Sequence, residues 1–543
     1  MKRLQLSILL FLFLFMIAGV VAFKSPYAPI VEPVRAIEEL WEIEDTRQES
    51  EMPLVTSLEN HGVPLAYDME ENTFYCAIGI DNGEAWPDIH LTAPEGADIS
   101  ICFSDDYEYD SCEEAIEQGY SYELMAYTDT EYCYFYIVFT GLPILTIRTD
   151  QEITMEDTAA YLTYNHPKQG NVESYSRVHW RGDGTLSAEK KSMKLETTRR
   201  RDGSGKTAIN IPGMGVTDEV VLLAMYYDPM LMRDRLSWDM ASLIIDESKP
   251  FSARKTEYVE VFINDVYWGV YLILKPYDIS TELTRMSNHA VYSDSLYRTF
   301  FTEKAKDKPY YTVFEGAGAG YELMYTQNSQ KPFLGLMDYI DLINEKDNEE
   351  FAKKAEKYID LDSALEYVLL LQSMIMQDNT VNNLYIWDHH GVNEKKYRFA
   401  IWDLDQTWDC HVSYNSSWFA LRPHDRIINQ NIGNARKKLE EKWSNMKKLG
   451  YTKEKVVEFV RLYEMELSLS GAFARNQYRW GGEYGYPNGG DIISYAVNRF
   501  DIMDVIINYI ANNDATMGFL DDNIRGDVYE VELLPYLEKL GAW

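Results

Sequence analysis

Asp378 and Asn383 stand with four residues between them, and Asp403 follows 25 positions after Asp378. An aspartate can accept the proton of an attacking hydroxyl. An asparagine and a second aspartate can hold divalent cations that bridge nucleotide phosphates, so these are the parts that phosphoryl transfer needs. Asn382 is a neighbouring amide, and Asp405 is a second carboxylate in Trp402-Asp403-Leu404-Asp405. Asp and Asn are also ordinary turn residues, so the spacing alone leaves a structural hairpin open. A second cluster is the turn Arg181-Gly182-Asp183-Gly184-Thr185 followed by Lys191 and Lys194. A glycine turn leading into a lysine-bearing strand can set a cation against phosphate oxygens. The pattern is not that of a P-loop, and a solvated strand face is the plain alternative. A third cluster joins Asp228-Pro229 to Arg233 and Asp234. A buried arginine there needs a carboxylate partner, and a purely structural ion pair satisfies that as well. No carboxylate pair is singled out by spacing for glycoside hydrolysis.

The elements that must position these residues follow from periodicity. The run "LDSALEYVLLLQSMIMQ" before Asp378 reads as a buried helix with Asp362 or Ser363 near its N-cap. "NNLYIWD" and "YRFAIWDLD" read as two strands turning at His390-Gly391, the second ending in the Asp403 segment. "TEYVEVFINDVYWGVYLILK" reads as a hairpin joined at Asn264-Asp265. Residues 218–245 carry a helical period, with one helix ending and another starting at Asp228-Pro229. The C-terminal third reads as mainly helical. Upstream, "ADISICFS" and "YCYFYIVFT" are alternating runs of a small β-domain from about Thr73 to Gly141. Residues 24–70 are polar and acidic and read as a linker, with one helix around Val34–Ile43.

The 543-residue chain carries 14% aromatic residues and a formal net charge of −36. It is long enough for two or three domains with a sizeable core. So acidic a surface repels nucleic-acid phosphates, which argues against a nucleic-acid partner. Lys2 and Arg3 precede an apolar run from Leu6 to Phe23, with Val20 and Ala22 at small-residue cleavage positions. A cleaved secretory signal and an uncleaved anchor both fit this run. Either places the rest of the chain outside the cytoplasm, touching membrane only through that segment. Cys76, Cys102, Cys112 and Cys133 form an even cluster. Two disulfides, of unreadable pairing, suit an exported chain, and buried thiols are the alternative. Cys410 stands alone, and the spacings match no zinc site.

Taken in order, these pieces resemble the CotH (spore coat protein H) kinase-like family. The matching segments are "LPILTIRTD", Arg181-Gly182 with Lys191-Ser-Met-Lys194, Leu222 to Ala241, Tyr258 to Ile273, Asp378 with Asn382, Asn383 and Tyr385, and Trp402 to Thr407. The resemblance runs from about Leu142 to Asp409, and more weakly to about Ile510. It implies an α+β fold: an atypical protein-kinase-like catalytic domain over 142–543, preceded by a small β-sandwich-like domain over 71–141, a linker over 24–70 and a signal or anchor over 1–23. It implies ATP and a divalent cation, Mg2+ or Mn2+. Asp378 would be the base, and Asp403 the main metal ligand with Asp405, Asn383 or Asn382 beside it. Lys194 or Lys191 would contact the phosphates, Arg181 would shape the phosphate-facing turn, and Arg233 with Asp228 would support the core of the site.

Three residues depart from the family pattern. Lys275 stands where a Glu is usual, Asp409 where a Gly is usual, and Asp265 where the hairpin usually turns on Gly. The expected function is a secreted kinase acting on hydroxyl groups of exported proteins. Its alternative is an inactive cell-surface or coat protein that keeps the fold. The β-domain is expected to contact carbohydrate or protein.

Overall fold

The computed structural model describes residues 31–541 except 32–34, 79–90, 94–98, 105–114, 117–118, 183, 246–250, 278–294, 302–309, 313–318, 327–329, 332, 381, 392–393, 409–416, 420, 422, 482–485, 513–529 and 533. Asp183, Asp409, Cys112, Cys410 and the N-terminal apolar run lie outside the described residues. Among the described residues no helix is long and apolar enough to cross a membrane.

The first domain is built on the alternating runs. Strands β1 (Ala66–Asp68), β2 (Thr73–Ala77), β3 (Ser100–Phe103), β4 (Ser121–Tyr127) and β5 (Glu131–Thr140) pair in the order β1-β2-β5-β4-β3. A small sheet of Glu59–Asn60, Val63–Pro64 and Leu91–Thr92 shares their core, which includes Phe74, Ile101, Leu124 and Phe135. Helix α1 (Ile37–Thr46) packs Leu40 and Ile43 against Cys102, Met125 and Tyr127 on the opposite face. The stretch expected as a linker is therefore part of this domain from Ile37 onward, because its apolar residues recur at helical spacing and cover a sheet face. Cys133 is a free, buried thiol whose Sγ accepts the Leu54 N–H at 3.4 Å. With Cys133 unpaired, the four clustered cysteines do not form the two disulfides that the sequence suggested.

The second region opens with a closed seven-stranded barrel. Its strands are β6 (Ile144–Arg148), β7 (Thr158–His166), β8 (Gly170–Arg181), β9 (Ser192–Thr198), β10 (Glu219–Leu223), β11 (Thr256–Ile263) and β12 (Val266–Leu274). The order is β6-β7-β8-β9-β10-β12-β11, closed by β11 running parallel to β6. Alternation sends Val259, Val261, Tyr271 and Ile273 into the barrel, and Tyr258, Val270, Leu272 and Leu274 outward against helices. Burial on both faces explains why these strands read as nearly continuous apolar runs. The β11–β12 hairpin turns at Asn264 and Asp265, both at positive φ, as a tight two-residue turn requires.

Among the described residues one helix, α2 (Arg233–Ser242), lies between β10 and β11. The helical period read over 218–245 is thus partly wrong. Residues 219–223 form a barrel strand buried on both faces, which periodicity cannot tell from a buried helix. Asp228 sits in the turn between that strand and α2, not between two helices.

The remaining chain packs helices around α5 (Leu361–Met374), in a core continuous with the outer barrel face. These helices are α3 (Leu334–Ile343), α4 (Asn348–Tyr358), α6 (Ala435–Lys448), α7 (Lys453–Leu469), α8 (Ala472–Trp480) and α9 (Gly490–Asn512). Asp360, not Asp362 or Ser363, caps α5, accepting the Ser363 N–H at 3.1 Å. A five-stranded sheet completes this half: β13 (Ser295–Phe301), β14 (Tyr310–Thr312), β15 (Ala319–Thr326), β16 (Tyr385–Gly391) and β17 (Glu394–Ala400), in the order β14-β15-β13-β16-β17. The whole is a mixed α+β protein.

Candidate active site

Helix α5 ends at Ile375, in the left-handed region at φ 50°, and the chain turns into a short 3-10 segment, Asp378–Thr380. Tyr367 Oη of α5 donates to the Asn379 carbonyl at 2.9 Å, and Asn379 Nδ2 donates to the Trp402 carbonyl at 2.7 Å. Asn379 thereby ties the loop that carries Asp378 to the segment that carries Asp403. Strand β17 stops at Ala400, so Asp403 lies in irregular chain beyond the strand that was expected to include it.

The tie brings the sequence-predicted residues together. Asn383 Nδ2 donates to Asp378 Oδ2 at 2.8 Å and to Asp403 Oδ2 at 3.2 Å. Asn382 Nδ2 adds a bond to Asp378 Oδ2 at 3.1 Å. Asn383 and Asp403 are both left-handed, at φ 58° and 59°, a conformation Asn and Asp tolerate better than other side chains. Ile375 and Trp408 share it without that tolerance. Such residues persist where the surrounding structure over-determines them, which is common at functional sites.

Helix α2 supports this loop from behind. Asp234 Oδ1 accepts the Leu404 N–H at 3.2 Å, and Ser237 joins Thr407 and the Trp408 indole at 2.9 Å each. Asp228 accepts the N–H groups of Met232 and Arg233 at 2.6 and 2.7 Å and pairs with the Arg233 guanidinium at 2.5 Å. One carboxylate thus both starts α2 and neutralises the buried arginine.

The facing wall comes from the barrel. Lys194 Nζ lies 3.0 Å from Glu196 and 3.0 Å from Glu219. Burial tends to raise the Glu196 carboxyl, but hydrogen bonds from Arg177 and Lys194 outweigh it and hold Glu196 at about 2. Arg181 lies over the Trp402 ring at 5.8 Å. Gly182 has φ 112°, and a Cβ there would strike Thr185 Oγ1, so this turn requires glycine. Lys191 turns away, donating to the Ala188 carbonyl at 2.7 Å, and is not among the residues lining the cleft. Of the two lysines the structure brings Lys194 to the cleft.

Between the walls lies a cleft of about 940 Å3, lined by Arg181, Lys194, Asp228, Asp234, Lys275, Asp378, Asn382, Asn383, Asp403 and Asp405 among others. Its acidic end is under electrostatic load. Burial, then the charges of Asp403, Asp378 and Asp228, push Asp405 up to about 8. Burial, then Asp405, Asp403 and Asp228, raise Asp234 well above the carboxylate range.

A hard divalent cation would relieve that repulsion, and the donors present, carboxylate and amide oxygens, suit Mg2+ or Mn2+. Among the described residues no three His, Cys, Asp or Glu side chains are disposed to hold a metal by themselves. Mg2+ commonly takes only one or two carboxylates and completes its shell with water and substrate phosphates. Asp403, Asp405 and Asn383 are the residues that could hold it.

Three residues were missed by sequence reasoning: Glu196, Glu219 and Asn379; Asp234 was named beside Arg233, but its contact with the Leu404 N–H was not foreseen. Glu196 lies two positions beyond Lys194, hence on the same strand face, and Glu219 is paired directly with Glu196 in register. The signal for Glu219 was hidden by reading its strand as a helix.

A barrel half and a helical half meet over a cleft, with linked acid and amide side chains on one wall and a carboxylate-held lysine on the other. The sequence model of the CotH kinase protein family matches residues 178–464, more than half of the chain, and the chain belongs to that family. No curated protein matches it.

Proposed function

We propose that this protein is an exported phosphotransferase that moves the terminal phosphoryl group of ATP to a hydroxyl of another exported or cell-surface protein. The observation that carries the reading is the Asn383 amide joining Asp378 to Asp403 in the cleft that Lys194 enters from the other side. Asp378 accepts the proton of the attacking hydroxyl, its carboxylate oriented by the amides of Asn382 and Asn383. The hydroxyl oxygen bonds to the terminal phosphorus, the bond from that phosphorus to the bridging oxygen breaks, and ADP leaves. Lys194 contacts the phosphates, positioned by Glu196 and Glu219 much as a glutamate positions the lysine of ordinary kinases. A divalent cation at Asp403, Asp405 and Asn383 would supply charge neutralisation on the phosphates. Arg181 and Gly182 form the turn over the phosphates. Export rests on the N-terminal apolar run, and a carbohydrate or protein contact for the β-domain rests on its place before the kinase-like region.

Lys275 favours a second reading, an inactive binding or coat protein. It lines the cleft just past β12, where the family usually has an acid, and its Nζ reaches the Val216 carbonyl at 3.4 Å.

Transfer of labelled terminal phosphate from ATP to an extract of exported proteins tests the choice. Label that appears with the wild-type chain and not with Asp378→Asn supports the enzyme. ATP binding without transfer in either chain favours the second reading.

A further inference from the structure

Beside Lys194 the cleft receives a second nitrogen donor with its own support. His179 lines the cleft and is the direct cross-strand partner of Lys194 in the β8–β9 register. Directly opposed residues have Cβ atoms about 5 Å apart on the same sheet face, so the two side chains enter side by side. His179 Nδ1 lies 2.8 Å from Asp157 Oδ1, which leaves Nε2 as the ring nitrogen available to the cleft.

Asp157 is itself held. The Arg177 guanidinium lies 3.0 Å from Asp157 Oδ2, and Arg177 also pairs with Glu196, the carboxylate that holds Lys194. One chain of contacts therefore runs Lys194–Glu196–Arg177–Asp157–His179, and its two ends meet again at the cross-strand pair. The middle of this chain holds two carboxylates and one guanidinium, a net charge of −1 that its nitrogen-bearing ends can balance, and both ends line the cleft. The backbone supports the same placement: Trp180, next to His179, donates its N–H to the Thr154 carbonyl at 2.7 Å, pinning the loop that brings in Asp157.

We infer that His179 is a second phosphate-contacting residue of the nucleotide site, positioned by Asp157. The inference rests on the proposed ATP reading and adds a residue to it. Against a phosphate oxygen the ring donates Nε2–H as an imidazolium, and Asp157 at Nδ1 balances its charge; such charge-assisted bonds are the stronger class. Asp157 and Arg177 act through His179 and are positioning residues.

Isothermal titration of ATP and of inorganic tripolyphosphate, each with Mg2+, into the full chain, three single variants and one double variant tests this. His179→Ala should weaken tripolyphosphate binding by about tenfold, with an unchanged melting temperature. His179→Gln, which keeps a donor near the Nε2 position, should recover part of the loss. Asp157→Asn should weaken binding less, and should add nothing when combined with His179→Ala. If the wild-type chain binds ATP while His179→Ala binds tripolyphosphate equally well, the inference fails and the ATP reading stands. If the wild-type chain binds neither compound, both fail.

Discussion

Asn383 donates its side-chain amide to the Asp403 carboxylate at 3.2 Å, across 20 residues of chain. The contact joins the turn after α5 to the segment after β17, and the same amide holds Asp378. The fold therefore keeps carboxylates close to one another, at an electrostatic cost. Asp403 raises the pKa of both Asp234 and Asp405. Asp403→Asn should abolish metal-dependent activity yet raise the metal-free melting temperature by about 2 °C or more, because like-charge repulsion is removed. Calorimetry in a chelating buffer reads this, and a lower melting temperature would count against electrostatic load at the site.

The acid cluster also predicts a pH dependence. Asp405 is pushed up to about 8 by burial and neighbouring carboxylates, and Asp425 up to about 7 by burial. Both folded values lie above the unfolded value of about 4, so between roughly pH 4 and 8 the folded chain keeps protons that the unfolded chain has released. Metal-free stability should fall as pH rises through that window, by up to about 1.4 kcal/mol per pH unit for each group. Denaturant titrations at pH 5, 6.5 and 8 should show the decline, and Asp425→Asn should flatten the part below pH 7. Added Mg2+ should stabilise most at pH 8, where Asp405 is more ionised than at pH 5 or 6.5. Stability that rises from pH 5 to 8 without metal would contradict this assignment.

Two neighbouring lysines should behave differently. Lys194→Ala removes the cation held at 3.0 Å by Glu196 and Glu219, and should weaken ATP binding by about tenfold or more. Lys191→Ala removes a side chain bonded to the Ala188 carbonyl and should leave ATP binding within about twofold. Equal losses in a nucleotide-binding assay would mean that the strand register does not choose between them. Glu219→Gln should fall between the two, since Glu196 still holds Lys194.

Arg233 and Asp228 support the fold more than the chemistry. Arg233→Ala leaves Asp228 buried without its guanidinium, and breaking one side of a buried pair costs about 3–5 kcal/mol. Because Asp228 also accepts the N–H groups of Met232 and Arg233 at the start of α2, whose Asp234 holds the Leu404 N–H, lost stability should be accompanied by lost metal affinity. A Arg233→Ala chain that melts like wild type would show the pair to be dispensable.

Local rules carried much of this architecture. The Asn264-Asp265 turn, the buried helix before Asp378 and the strand pair between Asp378 and Asp403 each follow from a short pattern, although His390 and Gly391, expected at the turn of that pair, are paired strand residues. The acid-amide set was readable because all of it sits within one hairpin and its flanks. The barrel was not, since its closure depends on β6 meeting β11 across more than a hundred residues. Glu219 was hidden for a related reason: a strand buried on both faces carries no alternation, so its partner for Lys194 emerged only with the register. Asp234 reads in sequence as a carboxylate beside Arg233, and only the tertiary contact with Leu404 places it behind the site.

The central claim is that the linked Asp378, Asn383 and Asp403 form, with Lys194, a metal-dependent ATP site. Isothermal titration of ATP into the wild-type chain and into Asp403→Ala, with Mg2+, with Mn2+ and with chelator, tests it most directly. The account predicts binding to the wild-type chain that requires the cation and is lost in Asp403→Ala. ATP binding that ignores the cation, or that survives unchanged in Asp403→Ala, would contradict it.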